Sequence, residues 1–190
     1  MTENRKSVEL NLRLWGRLYQ TYSVLKTCED QIFEPYGLTT EQYGVLAAIA
    51  FLGGTARVTD IAQWLERNAN SITMLVERMV KAGLVKRTRS RYDRREVHVV
   101  STAKGEAAFR PANAAGYDVI SGILSAIPYE KRETLLGLLE TVKGEILKYL
   151  NPGVDTEEAT KTKLEELAAM RSWIDTYGLD PAPQPKRDVG

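Results

Sequence analysis

Apolar residues recur at three- and four-residue steps along most of this chain, with one short stretch where they alternate instead. The pattern predicts a mainly α-helical fold carrying a small β-hairpin. From 8 to 34, Leu14, Leu18, Leu25, Cys28 and Ile32 keep helical spacing, and Trp15, Tyr19 and Tyr22 widen the stripe. Pro35-Tyr36-Gly37 ends that helix, and Thr39 with Gln42 opens the next as a capping box. Tyr43, Val45, Leu46, Ile49, Ala50 and Leu52 form its expected buried side, closed by Gly53-Gly54. A short helix follows with Val58, Ile61, Ala62 and Leu65 inward and Thr59 or Asp60 as its cap. Asn68-Ala69-Asn70 supplies a break, and a helix over 71–82 carries Ile72, Leu75, Val76, Met79 and Val80. Gly83 stands where a left-handed stop is needed.

The alternating stretch comes next. Residues 84–89 and 96–101 read as paired strands, joined by a turn over 90–95. Two short helices followed by a hairpin is the winged helix-turn-helix layout. Thr102 then caps a helix through Ala107, Ala108 and Phe109, which Pro111 is expected to interrupt or kink. Helical pattern resumes at Ala114 and runs to Pro128. A last long helix spans about Tyr129 to Leu150, with Leu135, Leu139, Val142, Ile146 and Tyr149 at near-heptad spacing. That seam, like the stripe of the first helix, is more apolar than a small domain can cover, so both invite a partner helix. Asn151-Pro152-Gly153 marks a boundary, after which Leu164, Leu167, Met170, Ile174 and Tyr177 outline one more amphipathic helix. The expected organisation is a dimerisation helix over 1–37 and a winged module over 38–104. Dimerisation helices over 105–150 and a helical extension over 151–190, with a disordered Pro-rich end, complete it.

Charge sharpens this picture. The 190 residues carry 26 Lys/Arg against 25 Asp/Glu, yet 57–104 alone holds eleven against five, a net of +6. A near-neutral chain therefore contains one strongly basic module, and that module is the predicted wing and helix-turn-helix. Such clustering points to a polyanionic partner, double-stranded DNA. One Cys and one His exclude an internal disulfide and a Cys/His zinc site, and offer no catalytic pair. No glycine-rich phosphate loop occurs, so an enzyme finds no support and no cofactor is expected. No apolar run approaches the ~20 residues of a membrane span, and the amphipathic start does not look like an export signal, so the expected compartment is the cytoplasm.

Three segments carry a resemblance to a known family. They are Ala82-Gly83-Leu84-Val85-Lys86-Arg87, Asp93-Arg94-Arg95, and Ser101-Thr102-Ala103-Lys104-Gly105. In this order they resemble the MarR family of transcriptional regulators, over roughly residues 8–150. Ser101 departs from the usual Leu, and the tail beyond 151 exceeds the usual family length. The resemblance implies a homodimer joined through its first and last helices and bound to a palindromic operator. It also implies a pocket for an aromatic ligand between the dimer helices and the DNA-binding lobe.

On that basis Asn70, Ser71, Thr73, Met74 and Arg78 are the expected major-groove residues, at the exposed start and outer face of the helix. Asn suits an adenine edge, Ser and Thr several bases or a phosphate, and Met a thymine methyl. Arg95 is expected in the minor groove, where a narrow A·T tract concentrates negative potential. Asp93 would orient Arg95, as the resemblance implies. Lys86, Arg87, Arg89, Arg91 and Arg94 are expected on phosphates, fixing position without reading sequence. His98 alternates outward, toward solvent or phosphate. Trp15, Tyr19, Tyr22 and Tyr43 are candidates for the effector pocket, with core packing as the plainer role of each. Cys28 on the apolar stripe reads as a buried structural thiol, and Trp64 has no evident role.

The expected function is thus a dimeric transcriptional repressor whose operator affinity is lowered by a small effector. An architectural DNA-binding protein without an effector is the alternative, and response to a ligand separates the two.

Overall fold

A computed structural model describes residues 3–89 and 96–150, together with helical positions 170, 173, 174, 176 and 177. Helix α1 (Glu3–Phe33) passes through one 3₁₀ turn (Glu34–Tyr36) into α2 (Thr40–Phe51). Strand β1 (Thr55–Arg57), α3 (Val58–Trp64), α4 (Ala69–Lys81), β2 (Val85–Arg89) and β3 (Val97–Ser101) build the winged module. Helices α5 (Ala103–Leu124) and α6 (Tyr129–Leu150) follow. The three strands form an antiparallel sheet in the order β1-β3-β2, with Ala56 and Arg87 flanking Val99 on either side. Mainly helical, with a small sheet beside a helix-turn-helix, the fold is the winged helix-turn-helix expected from the pattern.

Local chemistry explains where the elements begin and end. The Thr39 hydroxyl accepts the Gln42 amide at 3.2 Å, and the Gln42 side chain accepts the Thr39 amide at 3.0 Å. Asn68 caps α4 by accepting the Asn70 amide at 2.8 Å, and Thr102 caps α5 by accepting the Gly105 amide at 3.1 Å. Gly83 closes α4 at φ +73°, in the left-handed region that favours glycine. The start of α3 differs from expectation. Its cap is Arg57, and Asp60, three residues on, accepts the Arg57 amide at 3.2 Å and its guanidinium at 2.8 Å. The helix begins there because β1, three residues long and too short to show alternation, runs straight into it.

The core lies between α2 and its neighbours. Val45 to Ile49 are buried consecutively, so α2 is enclosed on all sides rather than amphipathic. Ile61, Ile72, Val76, Met79, Val85, Val99 and Phe109 close around it. Two expected core residues sit at its margin: Val80 and Leu52 are more than a third exposed. Residues 72, 75, 76 and 79 already fill the inward arc of α4, and Leu52 lies past the last turn of α2. Cys28 is likewise only partly buried.

Pro111 does not interrupt its helix; α5 runs unbroken from Ala103 to Leu124. Proline removes one backbone hydrogen bond. Phe109 and Ala112 are buried on either side of it, and Asn113 is bound to the Tyr43 hydroxyl at 2.9 Å. Tertiary packing therefore holds the backbone helical across the gap. By contrast residues 4–27 of α1 and the whole of α6 bury no side chain, leaving two long apolar seams uncovered.

Candidate nucleic-acid interface and the adjoining cavity

Helix α4 turns Ile72, Leu75, Val76 and Met79 inward, and this places the predicted base-reading residues outward. Asn70, Ser71, Met74 and Arg78 are exposed, with Met74 at 65 %. Thr73 is different. It is half-buried, and its hydroxyl donates to the Ala69 carbonyl of its own helix at 2.8 Å, which occupies its proton.

Strand β2 follows α4 after the tight turn at Gly83, so its outer side lies next to the helix. The Arg87 guanidinium stands 3.7 Å from the Glu77 carboxylate of α4, joining the two elements. Lys86, Arg87 and Arg89 are all exposed. Arg91, Asp93, Arg94 and Arg95 of the turn lie outside the described residues. At the base of the hairpin His98 is not the solvated residue expected. It is half-buried, with Nε2 3.3 Å from Glu96 and Nδ1 3.4 Å from the Thr55 hydroxyl of the neighbouring strand β1. Glu96 also faces Arg57 at 3.7 Å. The Arg57 guanidinium, by hydrogen bonding first, holds the Asp60 carboxyl below the usual carboxylate range.

Between α1, α2 and the helix-turn-helix lies a cavity of about 520 Å³. Tyr22, Leu25, Lys26 and Glu29 of α1, Tyr43 and Ala47 of α2, and Trp64 at the end of α3 form its walls. Ser71, Met74 and Arg78 of α4 close it. Of the four aromatic candidates, Tyr22 and Tyr43 line this space, whereas Trp15 and Tyr19 project from the uncovered seam of α1. Trp64 gains a role that sequence spacing concealed. Its ring packs on Phe51 at 5.4 Å and forms part of the cavity wall. Only the fold brings α3 against the end of α2, so nothing in its local pattern could have signalled this.

Tyr43 is the best-anchored of the lining residues. It stacks on Phe33 at 3.8 Å with 14° between the ring planes, and its other neighbour is Phe109 at 5.5 Å. Its hydroxyl donates to buried Asn113 at 2.9 Å. Burial, and then the nearby Glu29 charge, push its phenol up to about 12. Glu29 is itself raised, by burial first and by Asp30 second. Asp30 is held in turn by the Thr40 hydroxyl at 2.5 Å. Lys26, Arg67 and Arg78 supply positive charge to the same space, Arg67 pairing with Glu41 at 3.4 Å.

Among the described residues no three His, Cys, Asp or Glu side chains stand together as a metal site. No described helix is long and apolar enough to cross a membrane.

Comparison with known proteins agrees with this geometry. A family described as the MarR family matches residues 36–96. A transcriptional activatory protein of Rhodopseudomonas palustris, BadR, is 31% identical over 172 residues, covering 86% of this chain and 95% of that one. The ligand-free crystal structure of the organohalide-sensing regulator RdhR-CbdbA1625 superposes with a TM-score of 0.67 at 21% identity, covering 78% of this chain and 88% of that chain. Reduced AbfR bound to DNA superposes with a TM-score of 0.60 at 21% identity, over 76% of this chain and 99% of that one.

Proposed function

The chain belongs to the MarR family of transcriptional regulators, and from that premise we propose that it binds a near-palindromic operator as a homodimer, with a small aromatic effector lowering its affinity. The observation that carries this reading is the outward face of α4. Asn70, Ser71, Met74 and Arg78 stand exposed on it, and the Glu77–Arg87 pair sets the basic strand β2 alongside. Together they offer one helix to a major groove and a cationic flank to the phosphates. Arg95, oriented by Asp93, would enter the neighbouring minor groove, with Arg91 and Arg94 on phosphates.

The dimer follows from the uncovered seams of α1 and α6. Leu14, Leu18 and Leu25 on one and Leu135, Leu139, Val142 and Ile146 on the other are exposed in the single chain. Exposed apolar surface of this extent is an association surface. Two winged modules held by these helices would meet successive major grooves, roughly 34–36 Å apart.

The effector reading is supported by the cavity. Its volume falls in the range of small-molecule sites, and its lining is aromatic and aliphatic with a few charged groups. Because Ser71, Met74 and Arg78 border it, a ligand there would bear on the side chains that face DNA. Repression is the proposed action, since occupying an operator blocks a promoter without any further contact. The relative from Rhodopseudomonas palustris is named as an activatory protein, so the sign of regulation is read from transcription in the presence and absence of the chain.

Binding of DNA from flanking intergenic regions, measured across a salt series, tests the reading. The expected result is sequence-specific binding whose log affinity falls linearly with log salt. Equal affinity for any duplex would overturn it. Titration of the bound complex with substituted phenols and benzoates then separates an effector-controlled regulator from an architectural protein.

A further inference from the structure

The C-terminal extension lies beyond α6, and its described residues pack against α5. Tyr177 sets its ring edge-on to Phe109 of α5, with centroids 5.4 Å apart and planes at 81°. The Arg110 guanidinium lies 5.1 Å from the Tyr177 ring centroid, while also holding Glu106 at 3.3 Å. Trp173 packs on Tyr177 at 5.9 Å. Its indole N–H is buried without an acceptor among the described residues, so its contact with Tyr177 is one of rings. Phe109 is fully buried, and its far side meets Tyr43, which stacks on Phe33 and walls the cavity. The rings of Trp173, Tyr177, Phe109, Tyr43 and Phe33 therefore form one continuous column from the tail to the cavity.

We propose that Trp173 and Tyr177 are a built-in clasp, seated on Phe109 and Arg110 of their own chain, that braces Tyr43 as the back wall of the cavity. Physical chemistry favours this occupant. The seat pairs a buried aromatic ring with a guanidinium, and an aromatic side chain satisfies both at once, by edge-to-face contact and by cation–π attraction. Burial raises the Tyr177 phenol above its ordinary value, Glu106 adding to the effect and Arg110 opposing it, as befits a ring taken out of water. With the clasp closed, Phe109 is held between Tyr177 and Tyr43, and Tyr43 between Phe33, Phe109 and Asn113. Releasing these two rings would free the wall, so they would set how readily the cavity admits a ligand. Only this last consequence rests on the effector reading; the clasp itself does not.

Hydrogen exchange followed by mass spectrometry on the full chain tests the clasp with no ligand present, so its outcome is independent of whether an effector exists. Tyr177→Ala is expected to speed exchange roughly two- to tenfold in the peptides covering 103–116 and 40–47, as loss of one aromatic pair implies. Peptides from α4 should stay unchanged. Tyr177→Phe keeps the ring and should match the parent chain, and Arg110→Met should fall between. Unchanged exchange in 103–116 after Tyr177→Ala would overturn the proposal. So would an equal rise in α4, which would mean a general loss of stability, or a Tyr177→Phe chain that behaves like Tyr177→Ala.

Discussion

Gly105 shows how much a single position can decide. It sits in the first turn of α5 beneath the end of α4, where the Thr102 hydroxyl donates to the Gly83 carbonyl at 2.6 Å. A Cβ at Gly105 would collide with the Leu84 carbonyl oxygen, which is backbone and cannot swing aside. Gly105→Ala should therefore push α5 away from β2 and cost about 1–3 kcal/mol, measured by chemical denaturation. Tyr43→Phe leaves the ring in place but strips the Asn113 carbonyl oxygen of its donor inside the core. That change should cost about 1–3 kcal/mol, again by denaturation. Glu29 offers a test of sign. Its folded pKa is raised above 4.5 by burial and by Asp30, so the native chain holds this proton to a higher pH than the unfolded chain does. Stability from this group is thus lost as pH rises from 4.5 through the folded value, and it stays lost at neutral pH. Glu29→Gln should melt at a higher temperature than the parent at pH 7, with the gap closing below pH 4.5. A gap of equal size at both pH values would show that charge is not its cause.

At the scale of elements, the proposed reading divides the work of recognition between α4 and the wing. Four buried residues on α4 leave the opposite arc free, and capping by Asn68 sets where that arc begins. The wing's basic stem is tied to it through Arg87 and Glu77. Arg95→Ala should weaken specific binding by about 1–3 kcal/mol and relax specificity, whereas Lys86→Ala should weaken binding to all sequences and lower the salt slope by about one. Asp93→Ala should partly reproduce Arg95→Ala through loss of orientation. Tighter binding by Asp93→Ala with specificity unchanged would assign that carboxylate to simple repulsion of phosphate. Competition binding against operator and scrambled duplexes resolves these cases.

The whole molecule is expected to be an obligate dimer. Its winged core is closed by α2, but neither residues 4–27 of α1 nor any part of α6 buries a side chain within one chain. A Leu139→Asp, Val142→Asp double variant places two charges in the α6 seam and should dissociate the dimer. Light scattering at low micromolar concentration checks this, and a variant that remains dimeric would place the interface elsewhere. The extension belongs to the same scale. Within the single chain its Tyr177 is packed against Phe109 of α5.

Periodicity and turn chemistry by themselves determined most of the described helices, the paired strands β2 and β3, the caps at Thr39 and Thr102 and the stop at Gly83. They also marked the basic stretch as the module proposed to meet DNA. These are local properties, written in spacing of a few residues, and a chain carries them wherever it folds. The tertiary structure alone decided the rest. Strand β1 is too short to alternate and exists because β3 pairs with it. Helix α5 survives Pro111 because Phe109, Ala112 and Asn113 are held by distant partners. His98 is tied down by Thr55, 43 residues away in sequence. The cavity sorted Tyr22 and Tyr43 from Trp15 and Tyr19 and found a place for Trp64. All four are aromatic, and three of them lie on α1 at helical spacing that treats them alike. What separates them is which helix faces stand opposite one another, and that relation arises only when residues far apart in the chain pack together.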